Sequence, residues 1–108
     1  MNPVPLENFD EVFNACLEKK EKSLMLFTSV ADEEGNYWCP DCEKISPLYE
    51  EFAQEAKSAG LPFYVFKAGD RATWKDKQHK FRVNKLLNLQ GVPTMGIFDG
   101  KKLTRHLV

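Results

Sequence analysis

The sequence predicts an α/β fold, a central mixed sheet flanked by helices and organised as a βαβ unit followed by a β-hairpin. Three observations predict it. The apolar run Leu24-Met25-Leu26-Phe27 reads as a buried strand, and a helical pattern at Ile45, Leu48, Tyr49, Phe52, Ala53 and Ala56 follows it. The aromatic-rich run Pro62–Ala68 has the composition of a second strand. Asp99-Gly100 then separates two further strand-like runs, a strong hairpin signal.

The elements follow in order. A helix from about residue 6 to 20 carries Leu6, Phe9, Val12, Phe13, Cys16 and Leu17 on one face, so Cys16 is expected as a buried, inert thiol. The strand Leu24–Thr28 leads into the polar loop Ser29–Tyr37, whose triplet Asp32-Glu33-Glu34 is expected to be solvated, the alternative being that it repels acidic partners or selects basic ones near the site. A long helix from Pro40 to Ala59 ends at Gly60, with Pro40 suited to the first turn and Pro47 imposing a kink. Beyond Pro62–Ala68 and the break at Gly69-Asp70, a further helix is expected from Thr73 to Leu87. Trp74, Phe81, Leu86 and Leu87 are its apolar members, and the polar interval 75–80, with His79 as a surface residue, is its solvated face. The strand Met95–Phe98, the Asp99-Gly100 turn and a strand from about Lys102 to Val108 complete the chain.

A length of 108 residues suits a single domain, 1–108. The 15 basic and 16 acidic residues leave a net charge of −1, which gives no pull toward nucleic acid or anionic lipid. Apolar runs of about five residues fall far short of the ~20 a membrane helix requires. Met1-Asn2-Pro3-Val4-Pro5 leads into charged residues without the apolar core of a signal peptide, and three cysteines do not make a secreted disulfide framework. A cytoplasmic location is the expectation.

The chemistry concentrates in Trp38-Cys39-Pro40-Asp41-Cys42, where a strand gives way to a helix. Two cysteines two residues apart either close a disulfide ring or hold a metal. A structural zinc site needs four ligands, and Cys16, His79 and His106 are not in paired ligand spacing, so no metal is expected. A redox dithiol fits better, because a helix N-terminus stabilises a thiolate and is expected to lower its pKa. A CxxC near a βαβ pattern points the same way.

These residues carry a resemblance. Trp-Cys-x-x-Cys, a proline five residues beyond the second cysteine (Pro47), and Gly91-Val92-Pro93-Thr94 resemble the thioredoxin fold family. Within it, Cys39-Pro40-Asp41-Cys42, the enlarged loop Ser29–Tyr37, Trp74-Lys75-Asp76 and Phe81-Arg82 resemble the thioredoxin domain-containing protein 17 family, over about residues 6 to 108. The resemblance implies a cytosolic oxidoreductase with a thioredoxin-like fold that reduces small disulfides such as cystine and selected disulfide-containing proteins. It implies no bound cofactor, electrons from NADPH through thioredoxin reductase as partner, and weak peroxidase activity.

Each residue then has an expected role. Cys39 is the exposed nucleophile, and Cys42, one turn in, resolves the mixed disulfide. Trp38 shields one side of the site. The Val92-Pro93 bond, cis by resemblance, leaves the Val92 backbone free for an extended substrate, and Thr94 follows it into the strand. With Pro40 these make up the expected substrate-contacting surface. Asp41 is expected either to serve the helix dipole, to handle the Cys42 proton, or to oppose a thiolate by repulsion. Two departures from thioredoxin stand out: the strand before the motif offers no carboxylate, and the sequence stops at His106-Leu107-Val108, where the last strand is expected to end. The covering C-terminal helix is therefore expected either to lie beyond these residues or to be replaced by another element, failing which one sheet face is left uncovered. The alternative reading is a redox-inactive binding or adaptor module of the same fold.

Overall fold

A computed structural model describes residues 2–29 and 31–107, with side chains described through Thr104. It contains β1 (Asn2–Val4), a 3-10 turn (Leu6–Asn8), α1 (Phe9–Lys19), β2 (Ser23–Thr28), α2 (Pro40–Ile45), a second 3-10 turn (Ser46–Leu48) and α3 (Tyr49–Ser58). β3 (Phe63–Lys67), α4 (Arg71–Lys75), α5 (Lys80–Val83), β4 (Thr94–Phe98) and β5 (Leu103–Leu107) follow. The five strands form one mixed sheet in the order β1-β3-β2-β4-β5. β1 and β2 both run parallel to β3, while β4 is antiparallel to β2 and to β5. The thioredoxin-like α/β fold stands.

Strand alternation divides the core. Met25 and Phe27 of β2, Phe66 of β3 and Phe98 of β4 face α1, where Phe9, Phe13 and Cys16 pack with Trp74, Phe81, Leu87 and Leu89. Leu24, Leu26, Phe63 and Val65 face the other way, against Ile45, Tyr49, Phe52 and Ala56 of α2 and α3. β2 is buried along its whole length, as a central strand covered on both faces should be. On this second face Met95 and Ile97 are half-buried and, with Leu24, Ala56, Ala59 and Leu61, line a cavity of about 360 Å³.

Several boundaries differ from expectation. β1 (Asn2–Val4) is a strand that the sequence pattern does not place. The long helix is broken at Pro47 into α2 and α3. Proline supplies no N–H for the Glu43 carbonyl, which instead accepts from the Ser46 N–H and from Ser46 Oγ at 2.8 Å. The helix expected over 73–87 is two short helices separated by a turn at 76–79, and Leu86 is exposed rather than inward.

His79 is the larger correction. It is 4% exposed, not a surface residue. Asp76 ends α4, its carbonyl accepts the His79 N–H, and the turn points the imidazole inward between Trp74 and Phe81. The end expected at Val108 and the expected loop residue Val30 lie outside the described residues, as does the His106 side chain. Among the described residues no helix is long and apolar enough to cross a membrane.

Candidate active site

The site forms where β2 ends, α2 begins and the segment before β4 returns alongside. Cys39 is the N-cap of α2: its backbone is extended, and its sulfur accepts the Cys42 N–H at 3.3 Å. Pro40 follows at the first helical position, exposed, where its missing N–H costs nothing. Cys42, one turn on, is fully buried and accepts the Ser29 N–H at 3.4 Å. Both cysteines are free thiols.

The segment before β4 completes the enclosure. The Val92-Pro93 peptide is cis. The Cys39 thiol donates to the Val92 carbonyl at 3.6 Å. Thr94 differs from expectation. It is buried and its hydroxyl donates to the Gly91 carbonyl at 2.7 Å, which ties the loop together rather than offering a contact to substrate.

Trp38 is held from outside the motif. Its Nε1 donates to the Gly69 carbonyl at 3.1 Å. Gly69 adopts φ +89°, and a Cβ there would sit 3.2 Å from the Thr73 methyl, so glycine is required. The preceding carbonyl, that of Ala68, accepts from His79 Nε2 at 2.8 Å. The loop before the motif is organised on its own carboxylate, since Asp32 Oδ1 accepts the Glu34 and Asn36 N–H groups, both at 2.9 Å. Asp41 is exposed on the first turn of α2, whereas its neighbour Cys42 faces the interior.

The electrostatics of Cys39 also correct the sequence reading. The residue is 7% exposed rather than outward-facing. Burial pushes its thiol up, to about 11, and the adjacent Cys42 thiol adds to this. The Cys42 N–H and the Ser29 hydroxyl act in the opposite direction without overcoming it. In the resting dithiol, desolvation therefore outweighs the helix terminus.

Sequence reasoning missed two hydroxyls here. Ser29 Oγ and Tyr49 Oη are buried and have no hydrogen-bond partner. Burial pushes the Tyr49 phenol up, and both cysteines act on it in the same direction. Buried orphan donors are uncommon and call for an explanation, and here both flank the dithiol. The signal was present as the polar pair Thr28-Ser29 closing an apolar strand. Among the described residues no group of three or more His, Cys, Asp or Glu side chains converges as a metal site.

The family model for the thioredoxin domain of thioredoxin domain-containing protein 17-like proteins matches residues 5–107. Thioredoxin domain-containing protein 17 of Danio rerio is 34% identical over 93 residues, covering 85% of this chain and 73% of the relative. The thioredoxin-like protein Clot of Arabidopsis thaliana is 34% identical over 112 residues, covering 98% of this chain and 80% of the relative. Among solved structures, oxidized thioredoxin O2 of Arabidopsis thaliana is similar in fold, with a TM-score of 0.57 at 23% identity, covering 99% of this chain and 83% of that one. The chain therefore belongs to the thioredoxin domain-containing protein 17-like family of thioredoxin domains.

Proposed function

We propose that this protein is a disulfide reductase acting by dithiol–disulfide exchange through Cys39 and Cys42. Family membership supports a general oxidoreductase role. One observation carries the finer reading. Cys39 Sγ lies between a helix N-terminal N–H at 3.3 Å and the Val92 carbonyl at 3.6 Å, with Cys42 one turn behind it.

Cys39 gives up its thiol proton to solvent and its sulfur attacks one sulfur of the substrate disulfide. A Cys39–substrate S–S bond forms, the substrate's own S–S bond breaks, and the departing thiolate takes a proton. Once Cys39 no longer donates to it, the Val92 carbonyl is released to accept a backbone N–H of the bound substrate. Cys42 then loses its proton and attacks the Cys39 sulfur. The Cys39–Cys42 disulfide forms and the second substrate thiolate leaves. The substrate has gained two electrons and two protons, and the pair is oxidised. In this reading thioredoxin reductase returns the pair to dithiol with electrons from NADPH, in a reducing compartment such as the cytosol.

Ser29 is a positioning residue in this scheme. Its N–H holds Cys42, and its unpartnered hydroxyl is a donor kept ready for negative charge on sulfur. The test is NADPH oxidation with thioredoxin reductase and this protein, using cystine and, in parallel, insulin disulfides. Turnover of cystine with little of insulin is expected. No turnover with either, from folded protein with titratable thiols, overturns the reading in favour of a binding module.

A further inference from the structure

We propose that the cavity beside Trp38 is a recognition site for a basic segment flanking the disulfide of a peptide or protein substrate. This rests on the reductase reading and names its substrate class. The cavity, of about 530 Å³, opens between the 3-10 turn at Leu6–Asn8, the loop before the cysteines and the Gly69-Asp70 turn. That is the size of a ligand pocket, and it admits a long side chain with part of its backbone. Pro5, Leu6, Tyr37 and Trp38 supply apolar and aromatic walls.

The charged residues lining it set the occupant's sign. Glu7, Asp32 and Asp70 stand against Lys67 alone, so the lining carries an excess of negative charge. Asp32 and Asp70 are fixed in place, because each uses Oδ1 to accept backbone N–H groups, Asp32 from Glu34 and Asn36 and Asp70 from Thr73. Among the described residues the ion pair is Lys80–Asp10, which leaves the three carboxylates of the cavity without a cationic partner at salt-bridge distance.

An arginine or lysine answers the apolar wall and the excess of carboxylates in this lining. Its aliphatic stem covers the apolar wall, its charge meets the carboxylates, and a guanidinium can stack on Tyr37 or Trp38. An acidic segment meets repulsion instead. Trp38 is shared: it lines the cavity and directly precedes Cys39. A segment seated against Trp38 is thus beside the residue that carries the reacting sulfur.

The test uses the reduced protein in single turnover, with no reductase, on two disulfide peptides identical except that arginine or glutamate flanks the cysteines. Thiol release is read by mass spectrometry. The arginine peptide is expected to react on the order of tenfold faster at low salt, with the ratio shrinking as salt is added. In Glu7→Gln/Asp32→Asn/Asp70→Asn, where the asparagines retain the turn bonds, the ratio should fall toward one. Glu7→Gln alone, an exposed change, should lower it partway. Equal rates for the two peptides, or a ratio unchanged in the triple variant, overturn the proposal. If neither peptide is reduced, the reductase reading fails, and the cavity is tested separately with the arginine peptide carrying serine for cysteine. Binding that quenches Trp38 fluorescence and is lost in the triple variant upholds the site, and absence of binding overturns it.

Discussion

His79 holds the loop that holds Trp38. Its Nε2 donates to the Ala68 carbonyl at 2.8 Å, and the next carbonyl, that of Gly69, accepts from Trp38 Nε1 at 3.1 Å. His79 Nδ1 meanwhile accepts the Phe81 N–H at 3.1 Å, which sets the neutral tautomer with its proton on Nε2. A histidine forty residues from the dithiol thus braces the tryptophan beside it.

His79→Ala removes both bonds and leaves a cavity between Trp74 and Phe81. It should cost about 2–4 kcal/mol, read by urea denaturation. Near-ultraviolet circular dichroism should show Trp38 and Trp74 losing their fixed surroundings.

The pH dependence follows from the same residue. Burial holds His79 below its ordinary value of 6.5, so the unfolded chain takes up the proton first as pH falls. Its contribution is fully present above about pH 6.5 and is lost as pH drops through that value toward the lower folded pKa. Thermal melts from pH 8 to 5 should show this decline, with a shallower slope in His79→Gln.

Ser29→Ala separates activity from stability. Losing the hydroxyl removes a donor that lowers the Cys39 pKa, so alkylation of Cys39 at neutral pH should slow by roughly tenfold. Because that buried hydroxyl has no partner within hydrogen-bond distance in the resting dithiol and acts on the thiolate, the melting temperature should hold or rise. A parallel loss of stability would make Ser29 merely structural.

Asp41→Asn tests the exposed carboxylate of the first turn. Removing its negative charge should shift thiol titration at Cys39 downward, with the fold unchanged. An unmoved titration curve would assign Asp41 to the helix dipole alone.

Much of this was legible in the sequence, for physical reasons. The β2 run, the Asp-Gly turn and the CxxC at a strand–helix junction are local signals, and each appears in the structure where the pattern put it. His79 was not legible. It sits in a polar run that looks like a solvated face, and only the turn at 76–79 rotates it inward. Ser29 escaped because its importance depends on a sulfur thirteen residues away. The exposure of Cys39 was misjudged for a similar reason: a helix terminus is visible in sequence, whereas the Val92 carbonyl that closes over the sulfur is not.

The proposed reductase stands on Cys39 attacking and Cys42 resolving. The most direct measurement is peptide mapping by mass spectrometry of Cys42→Ser after exposure to cystine. A stable half-cystine adduct on Cys39 is expected, with no corresponding adduct at Cys42 in Cys39→Ser. An unmodified Cys39 in folded, titratable Cys42→Ser protein would contradict it.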